Sequence, residues 1–168
     1  MKKKFLVILA FLSCLSLFAI NKTQNVQAAN KYGISRKYTT PKVTRGTWYY
    51  LEDGKMNKIK ITAHTAAGSK LYVPSKAFFE KNVYNVSTKK RNAFIKKVMK
   101  KNIYAGYNYK KGFNVNNWVN LAGDGVYYIP KKMTVKDTKV TALRIATGAG
   151  PYTSAYAFKS PELAKAAK

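Results

Sequence analysis

Catalytic chemistry requires titratable side chains that lie together, and this sequence contains few of them. It has one histidine, His64, and six acidic residues. A Ser-His-Asp arrangement or a histidine-rich metal site would therefore have one candidate member at most. Glu52 and Asp53 fall in an expected turn, and the other acidic residues are scattered along the chain, at Glu80, Asp124, Asp137 and Glu162. We expect no enzyme activity, no catalytic or metal site and no cofactor.

Positive charge is the chemical property that this sequence supplies in abundance. It has 32 Lys and Arg residues against six Asp and Glu residues, a net charge of +26. Nearly all of this charge is lysine, which lacks the planar fork with which arginine binds phosphate or carboxylate bidentately. Such a charge requires anions nearby. It favours nonspecific adhesion to a polyanion, although a lysine-rich composition can also serve solubility alone.

The stretch from Thr88 to Lys101 is the most strongly predicted helix and is also rich in lysine. Ser87 or Thr88 is the expected N-cap, and the apolar residues Phe94, Ile95, Val98 and Met99 recur at helical spacing. The other face is cationic, so this helix either binds a polyanion or membrane surface or packs its apolar stripe on a sheet with the lysines solvated. We favour the second arrangement. The candidate binding residues are Lys89, Lys90, Arg91, Lys96, Lys97, Lys100 and Lys101.

Aromatic residues alternate with lysines and asparagines between Ile103 and Trp118. Bases or sugars can stack on such aromatic side chains while lysines hold a phosphate backbone. The same residue types around Gly106 and Gly112 are equally typical of loops and half-buried strands. Both interpretations stay open, with Trp118 as a candidate binding residue, and we expect no specific nucleic-acid partner.

The clearest supersecondary element is a hairpin from Thr44 to Thr62. Two flanks rich in β-branched and aromatic residues enclose Glu52-Asp53-Gly54-Lys55, a typical turn sequence. Alternation along the flanks predicts one buried and one solvated face. Glycine inside a strand costs stability unless something needs the space, so Gly46 predicts that a backbone or a ring approaches closely beside Trp48, which we expect to anchor the core.

The remaining segments predict an α+β domain, mainly antiparallel β, built as a small barrel or strongly curved sheet with one amphipathic cationic helix. Its β-rich part spans residues 43–159, after a loosely held basic N-terminal arm at 29–42 and before a short helix or tail at 160–168. Turn residues bound the predicted strands, and serine precedes both predicted short helices, although Val83-Tyr84-Asn85-Val86 by itself would also suit a strand. The strands are Lys70–Val73, Val126–Ile129 ended by Pro130, Lys139–Thr147 and Tyr152–Phe158, and the helices follow Ser75 and Ser160.

Residues 1–28 have the three parts of a secretory signal. Lys2-Lys3-Lys4 precede an apolar stretch from Phe5 to Ile20, and Val26-Gln27-Ala28 fits the small-residue rule for cleavage. A retained membrane anchor is the alternative, but the apolar stretch is shorter than the roughly 20 residues that span a bilayer. Cleavage would remove Cys14, the only cysteine, with four of the 32 basic residues and no acidic one, leaving 140 residues with a net charge of +22. We expect a secreted protein with no disulfide and no transmembrane segment. Its positive charge can retain the protein at the cell surface.

Two resemblances rest on these segments. Arg45-Gly46-Thr47-Trp48-Tyr49 resembles the opening strand of lipocalin-type barrels, in which a Gly-x-Trp closes one end of the barrel around a ligand cavity. More of the chain resembles small secreted proteins of lactic-acid bacteria, a family without an agreed function. This second resemblance implies export and a single domain and carries over no site residue. It lies in Tyr38–Pro41 with Arg45–Tyr49, in Gly123–Tyr128 and in Ala142–Pro151.

The sequence supports two functions of different classes. The first is a non-enzymatic interaction protein held electrostatically on anionic cell-wall polymers or a membrane surface, where each lysine can contribute about 1 kcal/mol. The second is a lipocalin-like module that binds a small apolar or aromatic ligand between Trp48 and Tyr50. An internal cavity would favour the second function, and a sheet filled by its own side chains would oppose it. A membrane-active role for Thr88 to Lys101 is a third possibility.

Overall fold

The structure, a computed structural model, describes residues 31–119 and 125–167. The predicted signal at residues 1–28 and the predicted turn residues Gly123 and Asp124 lie outside the described residues. Ten strands and three helices are described, with a 3₁₀ turn at Lys42–Thr44. The helices are α1 (Lys76–Phe79, continued by a π-helical turn at Glu80–Tyr84), α2 (Thr88–Met99) and α3 (Pro161–Ala166). The strands are β1 (Ile34–Lys37), β2 (Gly46–Glu52), β3 (Lys55–Ile61), β4 (Thr65–Ala66), β5 (Ser69–Pro74), β6 (Ile103–Tyr109), β7 (Gly112–Asn117), β8 (Val126–Val135), β9 (Thr138–Thr147) and β10 (Tyr152–Ala157).

The described strands form one mainly antiparallel sheet in the order β10-β9-β8-β7-β6-β5-β4-β3-β2, with β1 paired to β5. Of the described strands only β5 and β6 pair in parallel, and α1 and α2 form the crossover that a parallel connection requires. The strand order does not close into a barrel. Its two ends meet at one antiparallel bridge, in which Tyr49 and Phe158 exchange two N–H···O bonds of 2.7 Å. The α+β class with a mainly antiparallel sheet is therefore confirmed, and of the two predicted forms, a small barrel or a strongly curved sheet, the barrel is not formed.

The predicted hairpin is confirmed as β2 and β3. Glu52 pairs with Lys55 across a two-residue turn. Asp53 and Gly54 have φ angles of +49° and +76°, the left-handed conformation that an Asp-Gly turn adopts because its twist matches that of the strands. Trp48 is 1% exposed in the main core, as predicted for an anchor.

The predicted N-terminal arm is not loose in its described part. Residues 34–37 form β1, and Tyr38 and Thr40 beyond it are buried. The Tyr38 amide donates to the carbonyl of Leu71 at 3.0 Å, and its ring fills the space above Gly106, where a Cβ would overlap it. This stretch has no sequence period because its contacts come from several separate strands.

Strand β8 extends past Pro130 to Val135, so the prediction that Pro130 ends it is wrong. The proline is tolerated because β7 pairs with β8 only at Val126–Tyr128, and from Pro130 onward the recorded pairing is with β9 alone. A residue without an N–H fits a strand that has a partner on one side. The predicted strands at Lys70–Val73, Lys139–Thr147 and Tyr152–Phe158 correspond to β5, β9 and β10.

Both short helices begin at the predicted serines. Ser75 Oγ accepts the amide of Phe78 at 3.4 Å, and Ser160 Oγ accepts the amide of Leu163 at 3.3 Å. These bonds satisfy N–H groups that have no partner within the helix. Helix α1 then packs with α2 over a second core cluster that contains Phe79, Val83, Val98 and Trp118.

Candidate cationic surface and apolar groove

Helix α2 presents its lysines to solvent on the side opposite the core. Val98 is buried, and Phe94 and Ile95 are half-buried. Lys89 and Lys96 are seven residues apart and therefore lie above one another on the helix. We call the exposed set Lys89, Lys90, Lys96, Lys97, Lys100 and Lys101 the α2 lysine face.

No acidic side chain of the described residues is paired with the α2 lysine face. The ion pair found among them joins Lys76 Nζ to Glu80 Oε1 at 3.8 Å, with both side chains largely exposed. The other described acidic residues are Glu52 and Asp53 at the β2–β3 turn, Asp137 at the β8–β9 turn and Glu162 in α3. Lys89 and Lys90 also lie in the first turn of α2, where the helix dipole disfavours positive charge. The face is thus an uncompensated positive surface.

Arg91, predicted as a binding residue, is turned inward instead. Its Nε donates to the carbonyl oxygen of Val83 at 3.0 Å, and Nη2 donates to that of Tyr84 at 3.1 Å. These carbonyls end the π-helical turn, where they have no later amide of the same helix to accept. Arg91 therefore joins α1 to α2, and we leave it out of the α2 lysine face.

Met99, predicted in the buried stripe, is 74% exposed. Helix α2 ends at this residue, so the chain turns away before Met99 is covered. Its side chain lies at a groove of about 380 Å³ between the end of α2 and the adjoining ends of β6 and β7. We call this the α2 groove, and its lining includes Ile95, Val98, Met99, Ile103, Tyr104 and Trp118.

Trp118 belongs to the wall of this groove and not to an exposed stacking platform. It is 3% exposed, and its indole N–H donates to the carbonyl of Tyr32 at 2.7 Å. Its ring meets Phe79 edge-on, with centroids 5.6 Å apart. Phe113 is fully buried and Tyr107 is half-buried, so that burial raises the pKa of Tyr107 to about 12. The aromatic residues of this segment therefore serve mainly as core.

Trp48 is enclosed by a contact from the far end of the chain. Its indole N–H donates to the carbonyl of Thr44 at 2.7 Å. Lys159 Nζ lies 3.6 Å from the ring centroid and donates to the carbonyl of Arg45 at 2.7 Å, and burial lowers the pKa of this lysine. A Cβ on Gly46 would lie 2.8 Å from the same Nζ. A close approach at Gly46 is confirmed, but the approaching group is the ammonium of Lys159 and not the predicted backbone or ring.

The inner face of the sheet around Trp48 and Tyr50 is filled by its own side chains. The main cluster contains Trp48, Phe113 and Tyr128, and Tyr50 packs against it half-buried. The rings of Phe113 and Tyr128 have centroids 5.1 Å apart. Burial raises the pKa of Tyr128 to about 12. Trp48 and Tyr50 are therefore packing residues in this arrangement.

His64 and the described acidic residues are spread over separate parts of the structure. His64 is exposed, and its Nδ1 lies 2.7 Å from the carbonyl oxygen of Tyr38. Across residues 31–119 and 125–167, no three His, Cys, Asp or Glu side chains are grouped to hold a metal ion. Within the same ranges, no helix has the length and apolar character needed to cross a membrane.

Comparison with protein-family models, with curated proteins and with solved structures gives no match for this chain. The two resemblances inferred from the sequence therefore stay predictions. Sequence reasoning missed Lys159 and the groove residues Ile103 and Tyr104. For Lys159 no local signal exists, whereas the end of the α2 stripe at Met99, directly before Lys100 and Lys101, was a signal for an apolar edge beside positive charge.

Proposed function

We propose that this protein associates electrostatically with anionic polymers or lipids of the cell envelope, with the α2 lysine face as its main contact. The observation that carries this proposal is six exposed lysines along α2 and the turn that follows it, with no described acidic partner. Lysine holds anionic surfaces through charge without fixed geometry. Near an anionic membrane each lysine can contribute about 1 kcal/mol, so a handful is enough for retention. The chain acts without catalysis and, if exported, stays on the outside of the cell.

Binding of a small apolar ligand is the second candidate function, and the α2 groove is a better site for it than the space between Trp48 and Tyr50. Side chains of the main core cluster fill the space around Trp48 and Tyr50, which leaves no room for a ligand between them. The α2 groove, at about 380 Å³, falls within the range of about 300–1,000 Å³ typical of small-molecule sites. This candidate therefore depends on the groove.

The proposal is tested by sedimenting the exported protein with isolated cell walls and membranes across a salt series. Its N-terminus is first identified by mass spectrometry, so that the species tested is known. Binding should fall after chemical removal of anionic polymers or lipids, and it should weaken with salt because the screening length shrinks from about 30 Å at 0.01 M to about 3 Å at 1 M. Equal binding to stripped walls, or none at low salt, would refute it.

Two charge-matched triple variants locate the contact. Replacing Lys89, Lys96 and Lys100 with glutamine should weaken binding about a hundredfold at low salt, since three lysines contribute about 1 kcal/mol each near the surface. The control replaces three exposed lysines of β3, at Lys55, Lys58 and Lys60, and removes the same charge. An equal loss in both variants would show that net charge, and not the α2 lysine face, governs binding.

A further inference from the structure

The α2 groove is lined mainly by apolar side chains, with Asn117 also in its lining, and is open to solvent at the end of the helix. Ile95, Val98 and Met99 line it from α2, and Ile103 and Trp118 line it from the sheet. Val98 and Trp118 are at most 3% exposed, whereas Met99 is 74% exposed at the groove. The groove therefore has a well-packed wall and a flexible thioether beside it, a combination that accommodates apolar chains of varied shape.

Three lysines neighbour lining residues of this groove, along the chain or in the sheet register. Lys96 of α2 directly follows the lining residue Ile95, Lys100 directly follows Met99 at the end of α2, and Lys70 of β5 is the register partner of Ile103. All three lysines are exposed, and α2, β6 and β7 contain no acidic residue. Lysine side chains keep their ammonium groups in water while their methylene stems cover apolar surface. The groove thus complements a molecule that has an apolar chain and an anionic end.

We infer that the α2 groove takes an acyl chain of an anionic membrane lipid, with the lipid headgroup on Lys96 and Lys100. This inference rests on the proposed function and narrows its target from envelope polyanions to lipids. A bare polyanion would engage the lysines and leave Met99 and the groove in water. A helix lying in the plane of the membrane surface brings apolar side chains to the acyl boundary and lysines to the headgroups.

The test follows tryptophan emission of the exported protein on vesicles of phosphatidylglycerol and phosphatidylcholine. Brominated acyl chains quench a tryptophan only on close approach. Brominated phosphatidylglycerol should quench the emission, because Trp118 lines the groove, and the Trp118→Phe variant should lose this quenching. Quenching that is unchanged in Trp118→Phe, or absent from vesicles that bind the protein, would overturn the inference.

A second pair of variants tests the groove without disturbing the core. Met99→Glu places a carboxylate at the groove on an exposed position, and Ala93→Glu makes the same charge change on an exposed position of the same helix. Met99→Glu should weaken vesicle binding about tenfold more than Ala93→Glu, the loss expected from no longer burying one apolar side chain. Ala93 is four residues from both Lys89 and Lys97 and lies among the lysines of the face, so Ala93→Glu should weaken binding to deacylated poly(glycerol phosphate) at least as much as Met99→Glu does.

The outcomes separate this inference from the proposed function. If neither vesicles nor poly(glycerol phosphate) bind at low salt, the proposed function fails and the inference fails with it. If both bind but Met99→Glu and Ala93→Glu lose vesicle affinity equally, only the inference fails. A Trp118 signal that changes with protein concentration alone would assign the groove to a second copy of the chain and would also overturn it.

Discussion

Lys159 carries the residue-scale contact that fastens the two ends of the sheet. Its ammonium lies 3.6 Å from the centroid of the Trp48 ring and donates to the carbonyl of Arg45. A cation over an indole ring contributes about 0.5–2 kcal/mol, according to how far it is desolvated. The hydrogen bond holds this cation to the segment that leads into β2. One side chain after β10 thereby stabilises the start of β2.

Replacing Lys159 with methionine should lower the free energy of unfolding by about 1–2 kcal/mol, because the cation over the ring and the bond to Arg45 are both lost. Urea denaturation measures this loss. Lys159→Arg, which keeps a cation, should recover most of the stability, and Lys165→Met on the exposed side of α3 should be neutral. If Lys159→Met lowered the free energy of unfolding no more than Lys165→Met does, the contact between Lys159 and the Trp48 ring would not stabilise the fold.

The pKa of Lys159 is also lowered by burial from the usual lysine value of 10.5. Between the lowered and the usual value the folded state binds fewer protons than the unfolded state, so this lysine makes stability rise with pH in that alkaline window. The lysine side chains can be isotopically methylated and followed by NMR. The resonance of Lys159 should titrate at a lower pH than those of the other lysines, and the Trp48 ring should shift its chemical shift away from theirs. This resonance should be missing in Lys159→Met. Titration of all lysines together would refute this expectation.

The position of the Lys159 ammonium over the Trp48 ring also requires glycine at position 46. Its φ is +112°, and a Cβ would lie 2.8 Å from Lys159 Nζ. Gly46→Ala should therefore destabilise the fold by about 1–3 kcal/mol, from backbone strain and the displaced ammonium. The control is Gly54→Asn, at a turn position with φ of +76° and open space around it, where asparagine is tolerated. Thermal unfolding of the two variants makes the comparison, and equal stability would contradict the contact.

At the scale of elements, the crossover of α1 and α2 explains why one helix has both a structural and an exposed charged face. The parallel pairing of β5 with β6 requires such a crossover. Its apolar residues pack over the sheet around Val98 and Trp118. Arg91 holds the two helices together, and the α2 lysine face remains free for a partner. The same cationic sequence pattern therefore contains residues of two different roles.

Arg91→Gln should lower the free energy of unfolding by about 1–3 kcal/mol, because two carbonyls at the end of the π-helical turn lose their donors. Lys90→Gln removes the same charge from the neighbouring exposed position and should be nearly neutral. Chemical denaturation distinguishes the two. Binding to an anionic polymer should show the opposite preference, because Lys90→Gln should lose at least as much affinity as Arg91→Gln. If Arg91→Gln and Lys90→Gln were equally stable, Arg91 would have no structural role and would belong to the binding surface.

At the scale of the whole molecule, a ten-stranded open sheet has two ends that would each expose unpaired backbone groups. Such edges invite pairing with other chains. Here the curvature brings the ends together, and Tyr49 and Phe158 exchange two hydrogen bonds. Phe158 is 2% exposed and packs in a cluster with Val135, Ala142 and Ala164. One bridge and the cluster behind it thus cover part of both edges.

The amides of Tyr49 and Phe158 should exchange with solvent as slowly as those inside the β8–β9 ladder, because both are hydrogen-bonded across the junction. Hydrogen exchange followed by NMR checks this. Phe158→Ala should speed exchange at both positions and destabilise the fold by about 3–5 kcal/mol. Rapid exchange of Tyr49 in the unmodified protein would show that the ends are not joined in solution.

The amino-acid sequence by itself determined the features that depend on neighbouring residues. Asp53-Gly54 fixed the first hairpin, Ser75 and Ser160 fixed the starts of two helices, and the period of Phe94, Ile95 and Val98 fixed α2. Turn conformation, capping and amphipathic spacing act within a few residues, so they can be recognised locally. The excess of lysine is likewise a property of composition.

Only the tertiary structure decided which distant residues meet. Lys159 and Arg45 are 114 residues apart in sequence, and Trp118 and Tyr32 are 86 apart, yet each pair forms a hydrogen bond. No periodicity links such positions, because their approach depends on the curvature of the whole sheet. The inward turn of Arg91, the exposure of Met99 and the α2 groove arise in the same way, from where an element ends and what packs beside it.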